Sequence, residues 1–284
     1  MTNSIGAYTQ LQNMLHEWQV TRQTVALVPT MGAIHAGHLQ LVAEAKKNAS
    51  KIVVSIFVNP TQFGPNEDFA NYPRTLERDI QLLAQAGVDL VWSPSAIEMY
   101  PEGFATSIHV AGLSEALCGA FRPGHFDGVA TVVAKLFMQI RPDIALFGEK
   151  DYQQLMLIKR LVKDLNMNIE VLGVPTLRER DGLALSSRNQ YLDADERKIA
   201  PKLYAILQQT SNHIRSGADV KDMLGLAEKE IIAAGFTKID YIELRAEESL
   251  IPIVNFSEET ARLLTAVWLG KTRLIDNVRV AIGK

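Results

Sequence analysis

A single cysteine, Cys118, excludes an intramolecular disulfide and suits a reducing, cytosolic setting. Excess charge of either sign is also missing. Lys and Arg number 29 against 32 Asp and Glu, a net charge of −3, which gives no electrostatic case for DNA or RNA as a bulk partner. A local basic pocket for a small anion stays open. Long apolar runs are absent: the apolar stretch at 53–58 is far too short to span a bilayer, so no membrane association is expected. The first fifteen residues lack the basic flank and apolar core of a leader. No repeat or low-complexity tract interrupts the chain. His125 has no cysteine partner and no metal-ligand spacing to His35 or His38, so a structural zinc site is not expected. At 284 residues, 47% hydrophobic and 21% charged, the chain reads as a soluble intracellular protein of one large domain or two.

What is present is alternation. A lead-in helix at 8–23 carries Leu11, Leu15 and Trp18 on one side, and an apolar strand follows at 24–28. Leu39, Val42, Ala45 and Ala49 form one stripe of the next helix. The β-branched segment 51–58 reads as a strand buried on both faces. A helix at 75–86, a strand at 88–92, an apolar helix from Val129 to Ile140, a strand at 144–147, a helix marked by Leu155, Ile158, Val162 and Leu165, and a strand at 169–174 continue the series. Such alternation predicts an α/β fold with a doubly wound parallel, Rossmann-like sheet, whose ligands bind beyond the carboxyl ends of the strands. After Val174 the pattern changes to helices at 194–214 and 220–234 and short strands near 239–244, 263–268 and 278–282. The expected division is a Rossmann-like, nucleotide-binding domain at 1–176 and a smaller α+β domain at 177–284 covering the active site.

The segment Pro-Thr-Met-Gly-Ala-Ile-His-Ala-Gly-His at 29–38 lies where a strand ends and a helix begins. Unpaired amides and the positive end of the helix dipole favour phosphate there. Gly32 and Gly37 admit close approach, and His35 and His38 are spaced to face one phosphate chain; two histidines three apart also fit a plain polar cap. Gly148-Glu149-Lys150-Asp151 follows a later strand and offers a flexible point charge, although it could be a solvated turn. Gln153 and Gln154 open the next helix, and an amide can read a carboxylate beside a hydroxyl. Leu185-Ser186-Ser187-Arg188 supplies two hydroxyls and a guanidinium, as a phosphate requires, or else a capping turn. Asn59-Pro60-Thr61-Gln62-Phe63 is a Pro-containing turn that could present Gln62. Together these groups suit chemistry on ATP, in which a carboxylate attacks the α-phosphorus and expels pyrophosphate. No Ser–His–Asp or Cys–His arrangement points to a covalent enzyme intermediate.

Six stretches, at 28–38, 55–63, 72–75 (Tyr-Pro-Arg-Thr), 122–126 (Arg-Pro-Gly-His-Phe), 147–154 (Phe-Gly-Glu-Lys-Asp-Tyr-Gln-Gln) and 181–189, resemble in order the motif set of the pantothenate synthetase (pantoate–β-alanine ligase) family. The resemblance spans nearly the whole chain. It implies an enzyme of the nucleotidyltransferase superfamily that makes pantoyl adenylate from pantoate and ATP, then lets β-alanine displace AMP. His38 would be the general acid, with His35 beside it on the phosphates. The implied catalytic set also includes Lys150, Ser186, Ser187 and Arg188. Met31, Gly32, His35, Gly37, His38, Gly148, Glu149, Lys150, Asp151, Leu185, Ser186, Ser187 and Arg188 would bind ATP, with Leu177 near the adenine. Gln62 and Gln154 would hold pantoate, Gln62 also serving β-alanine. The resemblance further implies a cytoplasmic homodimer requiring Mg²⁺. Thr61 and Leu185 stand where methionine is frequent in the family. Arg78 precedes Asp79 where some relatives carry an acidic pair, so Mg²⁺ is expected to ride mainly on the ATP phosphates and water. The competing readings are a nucleotidyltransferase acting on a phosphate-bearing acceptor, which would need extra basic residues near Gln62 and Gln154, and a non-catalytic nucleotide-binding regulator.

Overall fold

The computed structural model describes residues 2–65, 67–256 and 260–281. In chain order these form β1 (Asn3–Ile5), α1 (Tyr8–Val20), β2 (Val25–Thr30), α2 (Ala36–Asn48), β3 (Lys51–Ile56), α3 (Leu76–Gln85), β4 (Leu90–Trp92), α4 (Ala96–Met99), α5 (Cys118–Phe121), α6 (His125–Ile140), β5 (Ile144–Gly148), α7 (Tyr152–Asp164) and β6 (Glu170–Val174). There follow α8 (Ala194–Ile199), α9 (Lys202–Arg215), α10 (Val220–Ala234), β7 (Lys238–Ala246), β8 (Ala261–Leu269) and β9 (Thr272–Val280). Two compact units result. One comprises the described residues of Met1–Glu149 and Leu157–Pro175, the other those of Lys150–Met156 and Thr176–Lys284.

The first unit is built on a six-stranded sheet in the order β1-β4-β3-β2-β5-β6, with every pairing parallel. Side chains alternate across a strand, so Ala26, Val28, Ile52, Val54 and Ile56 share one face. There they pack with Leu41, Val42 and Ala45 of α2 and Leu83 of α3. The opposite parity carries Phe147, whose ring meets Phe137 of α6 at 6.5 Å. Helices on both faces explain why β2 and β3 are apolar at successive positions. Fully burying one such side chain, for example Leu83, contributes about 1.5–3 kcal/mol. An exposed pair such as Lys47–Glu44 is screened by water and contributes little, so burial holds α2 and α3 to the sheet. After β2 the chain runs to β3 and β4 on one side, then returns to β5 and β6 on the other. The β2/β5 boundary is therefore the topological switch point, where doubly wound sheets bind ligands.

The second unit has an antiparallel sheet in the order β7-β8-β9. Leu263, Val267 and Val278 share a core with Leu203, Leu207 and Ile214 of α9 and Ala227 and Ile231 of α10.

The structure corrects several element boundaries. The helix expected at 194–214 is two, α8 and α9, separated at Pro201, which has no N–H and restricts the residue before it. The strand expected at 278–282 is β9, which begins at Thr272; the polar residues Asp276 and Asn277 are buried within it and break the apolar pattern. Ile282 lies outside the described residues. Helix 8–23 stops at Val20, before the left-handed Arg22 (φ 55°). The helix expected from Val129 starts at His125, and β1, α4 and α5, each four residues or shorter, were not anticipated.

Candidate active site

β2 delivers the chain at Thr30, whose hydroxyl donates to the Ser55 carbonyl (2.7 Å) and accepts from the Gly32 amide (3.2 Å). Gly32 (φ 87°) and Ala33 (φ 50°) then turn through the left-handed region, which is costly for alanine. Asp79 of α3 pins this turn. Its Oδ2 accepts from the Ala33 amide and its Oδ1 from the Ile34 amide, both at 2.9 Å, while the Thr75 hydroxyl donates to Oδ1 at 3.1 Å. Asp79 is 1% exposed, so these donors replace its water.

The turn places His35 at the N-cap of α2. Nδ1 of His35 accepts from the Gly37 amide (3.1 Å), and Nδ1 of His38 accepts from the His35 amide (3.3 Å), forming a reciprocal cap. A Cβ at Gly37 would lie 2.9 Å from Cε1 of His35, so the ring keeps its place only above a glycine. The two rings stack at 4.0 Å between centroids. Because both Nδ1 atoms accept from amides, each neutral ring carries its proton on Nε2. Both rings thus stand at the switch point and at the N-terminus of a helix, where an anion is favoured.

Gln62 is oriented in the same unit. Its Oε1 accepts from Nδ2 of Asn59 (3.1 Å) and its Nε2 donates to Sδ of Met31 (3.0 Å), which fixes the amide's sense. Asn59, 1% exposed, is held in turn by the Gly128 carbonyl (3.1 Å), the Thr61 hydroxyl (2.9 Å) and the Tyr100 hydroxyl (2.8 Å). Burial raises the Tyr100 phenol above its usual range, which keeps it a donor. The Gln62 carbonyl accepts from Nδ1 of His125 (2.7 Å), so His125 takes its bond from Arg122 at Nε2 (3.0 Å). Arg122 is anchored to Glu67, with Nε at 2.7 Å. Burial works to raise the Glu67 carboxyl, but Arg122 outweighs it and the net shift is downward. Gly148 ends β5, beside β2.

The first unit's segment ends at Glu149; in the second unit Lys150 and Asp151 continue the 3₁₀ turn, and the half-buried Gln154 sits in the first turn of α7. Leu177 and Leu185 come together, the Leu185 amide donating to the Leu177 carbonyl (3.0 Å), beside the bridge between Arg178 and Ala184. Ser186 caps the following 3₁₀ turn, its hydroxyl accepting from the Arg188 amide (3.2 Å), and Ser187 and Arg188 stand in that turn. The residues sequence reasoning missed are those beneath the motifs. Asp79 enters the sequence reading only in connection with Mg²⁺, not as a brace of the loop, and Asn59 only as part of a turn. Only the burial of polar residues, invisible in sequence, sets them apart.

Three comparisons bear on this arrangement. The family model described as pantoate-beta-alanine ligase matches residues 3–279. The pantothenate synthetase of Rhodospirillum rubrum is 53% identical over 272 residues, covering 96% of either chain. That of Sphingopyxis alaskensis is 55% identical over 258 residues, 91% of this chain and 92% of the other. The crystal structure of pantothenate synthetase from Thermus thermophilus superposes with a TM-score of 0.93 at 47% identity, covering 99% of this chain and 100% of that one. The pantoate-beta-alanine ligase of Francisella tularensis, complexed with beta-gamma ATP and beta-alanine, gives 0.82 at 37% identity, covering 98% and 97%.

Proposed function

The chain belongs to the pantoate–β-alanine ligase family, and from that premise we propose how its residues divide the reaction. The enzyme condenses pantoate with β-alanine to pantothenate, with ATP as the activating substrate. The pantoate carboxylate attacks the α-phosphorus of ATP in line and pyrophosphate leaves. The β-alanine amine then attacks the acyl carbon of pantoyl adenylate, releasing AMP.

Little covalent work falls to the protein; it positions the reactants and stabilises charge on the phosphoryl oxygens. His38 stabilises charge on the phosphoryl oxygens through its Nε2–H hydrogen bond, since a neutral ring that surrendered this proton would be left an imidazolate, and His35 stands beside it on the phosphates. Met31, Gly32 and Gly37 shape the motif loop. Gly148, Glu149, Lys150, Asp151, Leu185, Ser186, Ser187 and Arg188 serve ATP, with Leu177 near the adenine. Gln62 and Gln154 bind pantoate, and Gln62 also serves β-alanine. Both are neutral, so they hold the carboxylate by hydrogen bonds without quenching it as a nucleophile. Mg²⁺ rides on the ATP phosphates. Both oxygens of Asp79 already accept from the loop, which leaves the metal to the phosphates and water. A cytoplasmic homodimer completes the proposal; among the described residues no helix is long and apolar enough to cross a membrane.

The observation that carries this reading is the stacked histidine pair at the switch point, with both Nδ1 atoms used as caps. The test is pyrophosphate exchange into ATP. It should depend on pantoate and be absent with a phosphorylated acceptor; exchange with the phosphorylated acceptor alone would transfer the chain to another nucleotidyl transfer.

A further inference from the structure

The Lys150 turn and the stretch ending in Arg188 are both tied to two consecutive residues of β9. Asn277 is 4% exposed and its side chain is engaged at both ends. Nδ2 donates to the Lys150 carbonyl (3.0 Å) and Oδ1 accepts from Nη1 of Arg262 (3.0 Å). A guanidinium only donates, so Oδ1 must face Arg262 and the NH₂ end is committed to Lys150. Arg262 is itself clamped: Nη2 reaches Glu247 at 3.1 Å, and the guanidinium lies over the Tyr152 ring at 3.9 Å. Tyr152, two residues beyond Lys150, donates its hydroxyl to the Glu247 carbonyl (3.0 Å), which closes the circuit.

The main chain of Asn277 reaches the other stretch. Its carbonyl accepts from Nη2 of Arg178 (3.3 Å), and the Asp276 carboxylate takes Nη1 and Nη2 of Arg178 at 2.6 and 2.8 Å. Arg178 also donates to the Gly182 carbonyl (3.1 Å) and stacks on Tyr204 at 3.6 Å. It is the residue bridged to Ala184, directly before Leu185.

We infer that Asn277 is a positioning residue of the ATP site: its side chain fixes the Lys150 turn, while its carbonyl and Asp276 fix the turn leading to Ser186, Ser187 and Arg188. The inference rests on the assignment of Lys150 and Arg188 to ATP made above. Asn277→Asp keeps the acceptor for Arg262 but sets an oxygen against the Lys150 carbonyl. The folded variant should bind a non-hydrolysable ATP analogue roughly tenfold more weakly by calorimetry, the scale of one lost buried hydrogen bond, while the pantoate KM stays within about twofold. The effect should nearly vanish in a Lys150→Ala background and persist in an Arg188→Ala background, since the side chain acts through Lys150. A merely structural role would lower Tm and weaken all substrates alike, whichever background carried the change. Asn277→Ser, which removes the donor without adding charge, is read in the same way should the aspartate variant not fold. Unchanged nucleotide affinity in a folded variant, or an equal loss in both backgrounds, overturns the role of Asn277. If Lys150→Ala and Arg188→Ala themselves bind the analogue like the parent, the assignment to ATP falls, and this inference with it.

Discussion

Replacing Asp79 by asparagine removes one oxygen from a carboxylate that holds the histidine loop without belonging to it. In the parent, Oδ2 and Oδ1 each accept one amide at 2.9 Å, and the acid is 1% exposed. Asparagine has one acceptor, so its NH₂ must face either the Ala33 or the Ile34 amide, donor against donor. The bond that survives loses its charge assistance, and the other amide is left buried and unpaired, a penalty of about 1–3 kcal/mol. Where the amide turned away is that of Ala33, the contact that holds it left-handed goes too, and the turn can relax and carry His35 with it. Relief of the buried charge offsets part of this. A net loss of about 1–3 kcal/mol is expected, read as a lower urea midpoint at unchanged m. The larger effect should fall on catalysis. His35 follows the turn directly, and a displacement of about 1 Å costs on the order of 10²-fold in rate. Pantoate-dependent pyrophosphate exchange should drop by that factor, and added Mg²⁺ or Mn²⁺ should not restore it. Stability within about 1 kcal/mol of the parent together with near-normal exchange would refute the reasoning. Restoration by raised Mg²⁺ would do so too, by making Asp79 a metal ligand rather than a brace.

Three further outcomes are expected. His38→Ala should slow pantoate-dependent pyrophosphate release by roughly 10² or more in a folded protein, the scale of losing a general acid or charge stabiliser; near-normal release would remove it from that role. Gln154→Ala should raise the pantoate KM far more than it weakens ATP binding, and the reverse pattern would cancel its assignment. Burial works to raise the Glu247 carboxyl, but Arg279 and Arg262 outweigh burial and hold it below the usual 4.5. A depressed carboxylate contributes stability that is present above the unfolded pKa and lost as pH falls through the lower folded value. Glu247→Gln should therefore be less stable near neutrality yet lose less on acidification, and parallel melting curves for the two proteins across that range would contradict the assignment.

The parallel sheet and the histidine loop were legible in the sequence because both rest on local pattern. Apolar runs of strand length alternate with helical stripes, and the loop has its glycines and histidines within ten residues. What escaped was set by distant partners. Asp79 and Ile34 are joined across 45 residues and Asn277 and Lys150 across 127, and nothing near any of them announces the bond. Pro201 divides the helix expected at 194–214, although the apolar periodicity continues on either side of it. The apolar pattern shows only the end of β9 for the opposite reason: Asp276 and Asn277 look like a loop unless their partners are known.

The capping of α2 by its own histidines has a consequence for nucleophilicity. An imidazole attacks phosphorus through the nitrogen that bears its lone pair, and in both rings that nitrogen is Nδ1, already occupied by a backbone amide. To attack through Nε2, either ring would have to shift its proton to Nδ1 and set N–H against N–H, breaking the cap that starts the helix. Capped in this way, neither ring is set up to form a nucleotidyl–histidine adduct. Transfer of the adenylyl group directly from pyrophosphate to the pantoate carboxylate oxygen, with inversion at phosphorus, is the outcome expected of such a pair.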